Sequence, residues 1–331
     1  MFKKTVLVIL VLMLSAAFLF AGGKAESGAG GEVKESTATQ FVFGTSGVGG
    51  SWYPVAVKIG TIVGEETKYK LIVQASGGGL ENLRLLKTGE FTFGWAESNV
   101  AHASYNGKKL FEKEGANKNL RYMYSLWPGV LQPLVHKDSG INTFYDMKGR
   151  SISPGSAGSG NEIAYIEILD IYGLTPKDMQ WKPMQHTERE MAFKDRQLEL
   201  IGYQTSVPSS SIMSATTQNP CRLLPIEGKE REALIKKQVW PVPITIPANT
   251  YNGQTEPVET VGDYGAALCD ASVPAEFVYQ YLTAIYKRVA EIQAIHASAR
   301  QVKLETALIA QGPIPLHPGA EKFYREKGLI K

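Results

Sequence analysis

Residues 41–95 read FVFGTSGVGGSWYPVAVKIGTIVGEETKYKLIVQASGGGLENLRLLKTGEFTFGW, and the reading of this stretch decides the fold. Phe41-Val42-Phe43 is a short apolar run of strand type. It enters Gly44-Thr45-Ser46-Gly47-Val48-Gly49-Gly50-Ser51, four glycines in eight residues and therefore a loop by composition. Pro54 follows at the expected first turn of a helix, where its missing N–H is not needed. Val55, Ile59, Ile62 and Val63 repeat behind it at helical spacing. Leu71-Ile72-Val73 reads as a second strand. Gly77-Gly78-Gly79 then leads a helix with Leu80, Leu83 and Leu86 on one face, stopped by Gly89. Phe91 to Trp95 reads as a third strand. Strand, helix, strand, helix, strand implies a parallel sheet with helices on its faces.

Working outward, Arg121 to Lys137 contains two extended runs, Tyr122–Leu126 and Leu131–His136, joined through Trp127-Pro128-Gly129. This segment is expected to cross from one lobe to another. The opening pattern then recurs. Ser151-Ile152-Ser153 ends a strand, Pro154 to Asn161 is a second small-residue loop, and a helix follows through Ile163, Ile166, Leu169 and Asp170 to Gly173. Alternation continues through Leu198–Tyr203, the Ser/Thr-rich stretch from Pro208, Cys221–Pro225 and a helix at 228–238. Pro241, Pro243 and Pro247 are expected to break regular structure. Tyr264–Cys269 reads as a strand returning to the first lobe. Helices are expected at 275–286, 289–299 and 320–327, with His317-Pro318 interrupting.

The N-terminus has the layout of a secretory signal: Lys3 and Lys4, an uncharged run from Thr5 to Phe20, then Ala21-Gly22. An uncleaved anchor is the alternative, although a span needs about 20 apolar residues. The only cysteines are Cys221 and Cys269, so no lipid-modified N-terminal cysteine is expected. Residues 22–40 are small and polar, as in a flexible linker. Removing the leader with its two lysines leaves 33 basic against 32 acidic residues. That balance argues against a nucleic-acid partner, which wants a strong basic stripe. The remaining chain is long enough for two domains: 41–130 plus 255–331 as one lobe, 131–254 as the other. The two cysteines then fall in different lobes, where a bridge would lock a hinge, and they are expected to stay unpaired.

A glycine-rich loop leading into a helix exposes free N–H groups at the positive end of the helix dipole, which makes an anion site. Two such loops occur, one per expected lobe, with hydroxyls at Thr45, Ser46, Ser51, Ser156 and Ser159. If both face one cleft, a molecule with two acidic or polar ends can bridge them. Trp52, Tyr53, Trp95 and Trp127 adjoin these segments as pocket walls or as core. No G-x-S-x-G, Walker A, H-E-x-x-H or C-x-x-C motif is present, and the five histidines are scattered.

The segments Gly49–Pro54, Ala75–Leu86, Gly89-Glu90, Gly94–Ala101 and Lys148–Ser156 together resemble the TAXI family, the solute receptors of tripartite ATP-independent periplasmic (TRAP) transporters. The resemblance runs over nearly all of residues 41–331. It implies an α/β fold of two lobes, the type II periplasmic-binding-protein fold, with a hinge and a cleft that closes on ligand. It also implies a periplasmic receptor without catalytic activity, cofactor or metal. Such a receptor acts as a monomer, captures a small carboxylate (a glutamate-like amino acid or a dicarboxylate) and hands it to a membrane TRAP permease. The expected ligand-binding residues are Thr45, Ser46, Gly47, Gly50, Ser51, Trp52, Tyr53, Ser76, Gly77, Gly78, Glu97, Ser98, Trp127, Ser156, Ser159, Gly160 and Asn161.

Two departures stand out. The family usually has glutamine where Glu97 stands, and a carboxylate there suits a ligand amino group. The loop from Gly155 to Asn161 is longer than the family's usual form. A sensory module presenting ligand to a membrane receptor is the first alternative. A secreted enzyme using Glu97 with His102 or Asp195 as acid and base is the second.

Overall fold

The computed structural model describes residues 38–48, 51–157 and 159–331. The leader and all but the end of the linker lie outside them, as do Gly49, Gly50 and Gly158. The opening reads out as expected. Strand β1 (Gln40–Gly44) begins one residue inside the expected linker, and helix α1 (Trp52–Glu66) buries Val55, Ile59, Ile62 and Val63. Strand β2 (Lys70–Gln74) and helix α2 (Gly79–Thr88) follow, with Gly89 ending the helix at φ 81°, a left-handed conformation that favours glycine. Strand β3 occupies Phe93–Glu97, two residues later than the sequence suggested, because Gly89-Glu90 and Phe91 complete the turn out of α2. Both β2 and β3 pair with β1 in parallel.

Helix α3 (Ser98–Asn106) leads into the largest departure from expectation. The two extended runs are a single strand, β4 (Leu120–His136), seventeen residues long and unbroken by Pro128. The proline is tolerated because pairing is already irregular there. Register with strand β10 (Val258–Asp270) shifts between Tyr264 and Ala266, and pairing on the other side begins only at Val130.

Strand β5 (Ser151–Ser153), helix α4 (Gly160–Ile171), strand β6 (Gln180–Trp181), helix α5 (His186–Lys194) and strand β7 (Leu200–Thr205) form the second wound unit. Helix α6 (Ser210–Gln218), strand β8 (Cys221–Leu223) and helix α7 (Gly228–Lys237) complete it. The proline-rich stretch does not break regular structure as expected. It contains strand β9 (Val242–Ile246), paired only with β10, and Pro243 is admissible on such an edge. Helices α8 (Ala275–Lys287), α9 (Val289–Gln293) and α10 (Pro318–Glu326) close the chain. The expected helix at 289–299 is shorter. It ends before His296, whose ring nitrogen caps a separate 3-10 turn at Ala297–Gln301.

Among the described residues the strands make one ten-stranded sheet, ordered β2-β1-β3-β10-β4-β7-β5-β6, with β8 on β4 and β9 on β10. The two long antiparallel strands β4 and β10 pair with each other at the middle of the sheet. Apolar packing divides around them. Phe41, Trp95, Tyr124, Phe277 and Tyr281 belong to one core, and Leu83, Tyr122 and Leu268 to a second beside it. Leu131, Tyr165, Leu200 and Val261 make a third, and Leu134, Tyr203 and Ile246 a fourth. The first pair of cores belongs to the first half of the molecule and the second pair to the other. Cys221 and Cys269 are buried and free.

Candidate functional site

Between the two halves, where β4 and β10 pass from one to the other, lies a cavity of about 240 Å³. Gly262 faces Val130 and Asp263 faces Gly129 across the ladder at this point. Three walls converge. Helix α1 contributes Ser51 and Trp52 from its first turn, the start of α4 contributes Ser159, Gly160 and Asn161, and β7 and its exit contribute Gln204, Thr205 and Ser206. Glu97, Trp127, Pro128, Gly129, Asp263, Gly265 and Ser298 complete the lining.

The local chemistry of α4 explains its role. Ser159 caps the helix by accepting from the Glu162 N–H at 3.2 Å. Asn161 Nδ2 donates to the Gly202 carbonyl at 3.0 Å, tying the helix start to β7. Asn161 Oδ1 and Gln204 Nε2, both on lining residues, have no protein partner. A side chain at Gly160 would put its Cβ 3.2–3.3 Å from Val100, Asn99 and Glu97, so glycine lets α4 approach α3 closely. Asn99 Nδ2 then reaches the Gly160 carbonyl at 3.0 Å, from one half to the other. A second link across the halves is an ion pair between Lys109 and Glu167, whose other carboxylate oxygen accepts from the Trp240 indole N–H.

The aromatic residues divide into wall and core. Trp95 is fully buried, with Trp52 and Trp127 edge-on to it at ring centroid distances of 6.0 and 6.3 Å. Trp52 and Trp127 line the cavity, and Trp95 supports them from behind.

Of the residues expected from sequence, the structure brings together Ser51, Trp52, Glu97, Trp127, Ser159, Gly160 and Asn161. Gly50 lies outside the described residues. The others are placed elsewhere, mostly because the chain already uses their polar groups. Thr45 Oγ1 donates to the Gln74 carbonyl, and Ser76 Oγ donates to Asn82 Oδ1 at 2.7 Å. Asn82, fully buried, binds the carbonyls of Thr45 and Trp95 at 2.7 and 2.8 Å and so ties the first two glycine loops together. Gly77 N–H donates to the Glu81 carboxylate at 2.6 Å, and Gly78 N–H to Ser76 Oγ at 3.1 Å. Ser46 Oγ bonds the adjacent Gly47 carbonyl, and neither residue lines the cavity, nor does Tyr53. Ser156 turns to Gln185. Ser98 stays out of the lining but donates to Asp263, which is in it.

Asp263 is the residue that sequence reasoning missed, along with Pro128, Gly129, Gln204, Thr205, Ser206, Gly265 and Ser298. A signal existed: an acid set in the strand run Val261-Gly262-Asp263-Tyr264-Gly265-Ala266 has no apolar role. Asp263 is 1% exposed and accepts from Ser98 Oγ and from the Asn99 N–H at the start of α3. Burial pushes its carboxyl up to about 8, against those hydrogen bonds, and the charge of Glu97 adds to the rise. Burial also raises the Glu97 carboxyl.

The acid–base pairs of the enzyme alternative do not form. His102 Nε2 meets the Ala310 carbonyl at 3.2 Å, and burial lowers its basicity. Asp195 is exposed at the end of α5.

Comparison with known proteins gives the relationship. Two structures share the architecture. The periplasmic aliphatic sulphonate-binding protein SsuA from Escherichia coli is 14% identical, with 89% of each chain covered and a TM-score of 0.51. XAC2383 from Xanthomonas citri, solved bound to ATP, is 10% identical over 87% of this chain and 95% of that one, with a TM-score of 0.52. These likenesses show a two-lobed periplasmic-binding-protein fold of mixed α/β type. Among the described residues, no helix is long and apolar enough to cross a membrane. The model of the NMT1-like family matches residues 43–328, and the chain belongs to that family.

Proposed function

We propose, with that family membership as the premise, that this protein is an extracytoplasmic solute-binding receptor that captures a small carboxylate in the cavity between its halves. One observation carries the reading. The N-terminus of α1, led by the first glycine loop, and that of α4, led by the second, meet at a single cavity. Two positive helix ends from opposite sides favour an anionic group between them. Asn161 Oδ1 and Gln204 Nε2 would gain partners from a ligand, and Trp52 and Trp127 offer apolar walls.

The lobes of this receptor are those expected from sequence, 41–130 plus 255–331 and 131–254, with the return to the first lobe moved to the hinge: the paired stretches are 128–130 of β4 and 262–264 of β10, and residues 258–262 still pair with β9 of the second lobe. Ligand selection works by closure: the solute meets one wall in the open form and both in the closed form, which it thereby stabilises. The Asn99–Gly160 and Lys109–Glu167 contacts belong to the closed form. The resemblance of residues 49–54, 75–90, 94–101 and 148–156 to TAXI receptors supports delivery to a TRAP permease in the membrane.

A thermal-shift screen of the mature chain against amino acids, dicarboxylates, keto acids, sugars and inorganic anions tests this. A true ligand stabilises by about 2.7 kcal/mol at a hundredfold excess over its Kd. A shift confined to small carboxylates is expected. A shift confined to sugars or inorganic anions would overturn the carboxylate assignment.

A further inference from the structure

The cavity is lined by two carboxyl groups, Glu97 and Asp263, and by no Lys, Arg or His. A carboxylate ligand there meets two groups of its own sign, one of them on the buried Asp263, and like charges repel more strongly where water is excluded. The protein offers little room to avoid this. A Cβ at Gly79 would fall 2.4 Å from Glu97 Oε2, and one at Gly160 would fall 3.3 Å from Glu97 Cγ, so the Glu97 side chain is held between α2 and α4. Asp263 is fixed by Ser98 and Asn99 at the start of α3 and faces the bare Gly129 on β4. Two other ionisable side chains stand near this wall. Lys109 is engaged by Glu167, and His296 is stacked on Trp127 at a centroid distance of 6.5 Å. From α4, β7 and the 3-10 turn after α9, only neutral side chains reach the lining: Ser159, Asn161, Gln204, Thr205, Ser206 and Ser298.

We propose that Glu97 and Asp263 share one proton in the ligand-bound cleft, so that the receptor captures its carboxylate together with a proton drawn from solvent. The inference rests on the carboxylate reading of the cavity. Two carboxyls that line one cavity, one of them feeling the charge of the other, titrate as a coupled pair, and a nearby anion favours keeping the first proton. The shared proton removes one negative charge and supplies an O–H donor, in a lining that has no cation to offer. Burial already raises both groups, Asp263 to about 8. A bound anion pushes the pair further the same way, so uptake is expected on the alkaline side of neutrality.

Calorimetric titration with succinate and with L-glutamate, in buffers of different ionisation enthalpy from about pH 6 to about pH 9, reads the coupling. The expected result is uptake of up to about one proton per ligand near the upper end, with affinity falling by up to about tenfold per pH unit there. In Asp263→Asn, with melting measured to confirm folding, both effects should disappear, and Glu97→Gln should reduce them. Infrared spectra of the free protein give a readout independent of any ligand. A protonated carboxyl band near neutral pH, absent from Asp263→Asn, is expected. Binding of either probe with no proton uptake and no pH dependence would overturn the proposal while leaving the receptor reading intact. If neither probe binds, the glutamate-like and dicarboxylate assignment falls while the receptor fold stands, and absence of the infrared band would overturn the shared proton by itself.

Discussion

Four helices begin around the cleft, and they fall into two pairs. The starts of α1 and α4 open on the cavity through Ser51-Trp52 and Ser159-Gly160-Asn161. At the starts of α2 and α3 the chain's own carboxylates arrive first: Glu81 takes the Gly77 N–H just ahead of α2, and Asp263 takes the Asn99 N–H and the Ser98 hydroxyl. All four offer the same dipole and the same kind of free donor. What separates them is whether an internal carboxylate reaches the donors first. A glycine loop before a helix is therefore an anion site only where the fold leaves it unfilled. Substitutions at the closed start of α2 should change stability, substitutions at the open pair should change binding, and Asp263, which closes α3 and also lines the cavity, should affect both.

The largest expected effect tests the closed start of α3. Asp263 holds its proton more tightly when folded, at about 8 against roughly 3.9 in an unfolded chain. The folded state thus binds more protons across that window. Its contribution to stability is full below about pH 4 and is lost as pH rises through about 8. Asp263→Asn should flatten stability against pH by up to about 1.4 kcal/mol per unit within the window. Denaturant midpoints of both proteins at several pH values check the difference between the two slopes.

Asn82→Ala comes next. It strips two buried carbonyls and Ser76 of their partner and should cost about 2–4 kcal/mol of unfolding free energy, with ligand affinity little changed. Loss of affinity at unchanged stability would break the distinction between the two pairs. At the open pair, Gly160→Val adds bulk where a Cβ already meets Val100, Asn99 and Glu97 within 3.3 Å. We expect at least tenfold weaker ligand binding, about 1.4 kcal/mol, with melting little altered. The smallest effect is Glu81→Ala, which strips the Gly77 N–H ahead of α2 of its carboxylate partner and should lower stability by about 0.5–1 kcal/mol without touching affinity. Urea titration and ligand titration of the same preparation separate the two outcomes.

Much of the fold was legible because its signals are local. Apolar spacing and glycine breaks placed β1, α1, β2 and α2, and the recurrence of strand, glycine loop and helix announced a second half. The misses follow from pairing, which is not local. Pro128 looked like a break between two strands, but β10 and β7 hold both sides in one ladder. Pro243 looked like a breaker, but it sits on an edge that asks nothing of its missing N–H.

By itself the sequence determined the α/β class, the two-part organisation and the two glycine loops that lead α1 and α4, since each depends on residues close together in the chain. Only the tertiary structure decided which polar groups remain available at the cleft. The Thr45 hydroxyl is used up by the Gln74 carbonyl, that of Ser76 by Asn82, and the Gly77 N–H by Glu81, while Asp263 reaches Ser98 from 165 residues away. A buried donor bonds whatever acceptor the fold brings within about 3 Å, and sequence spacing cannot say which one that is.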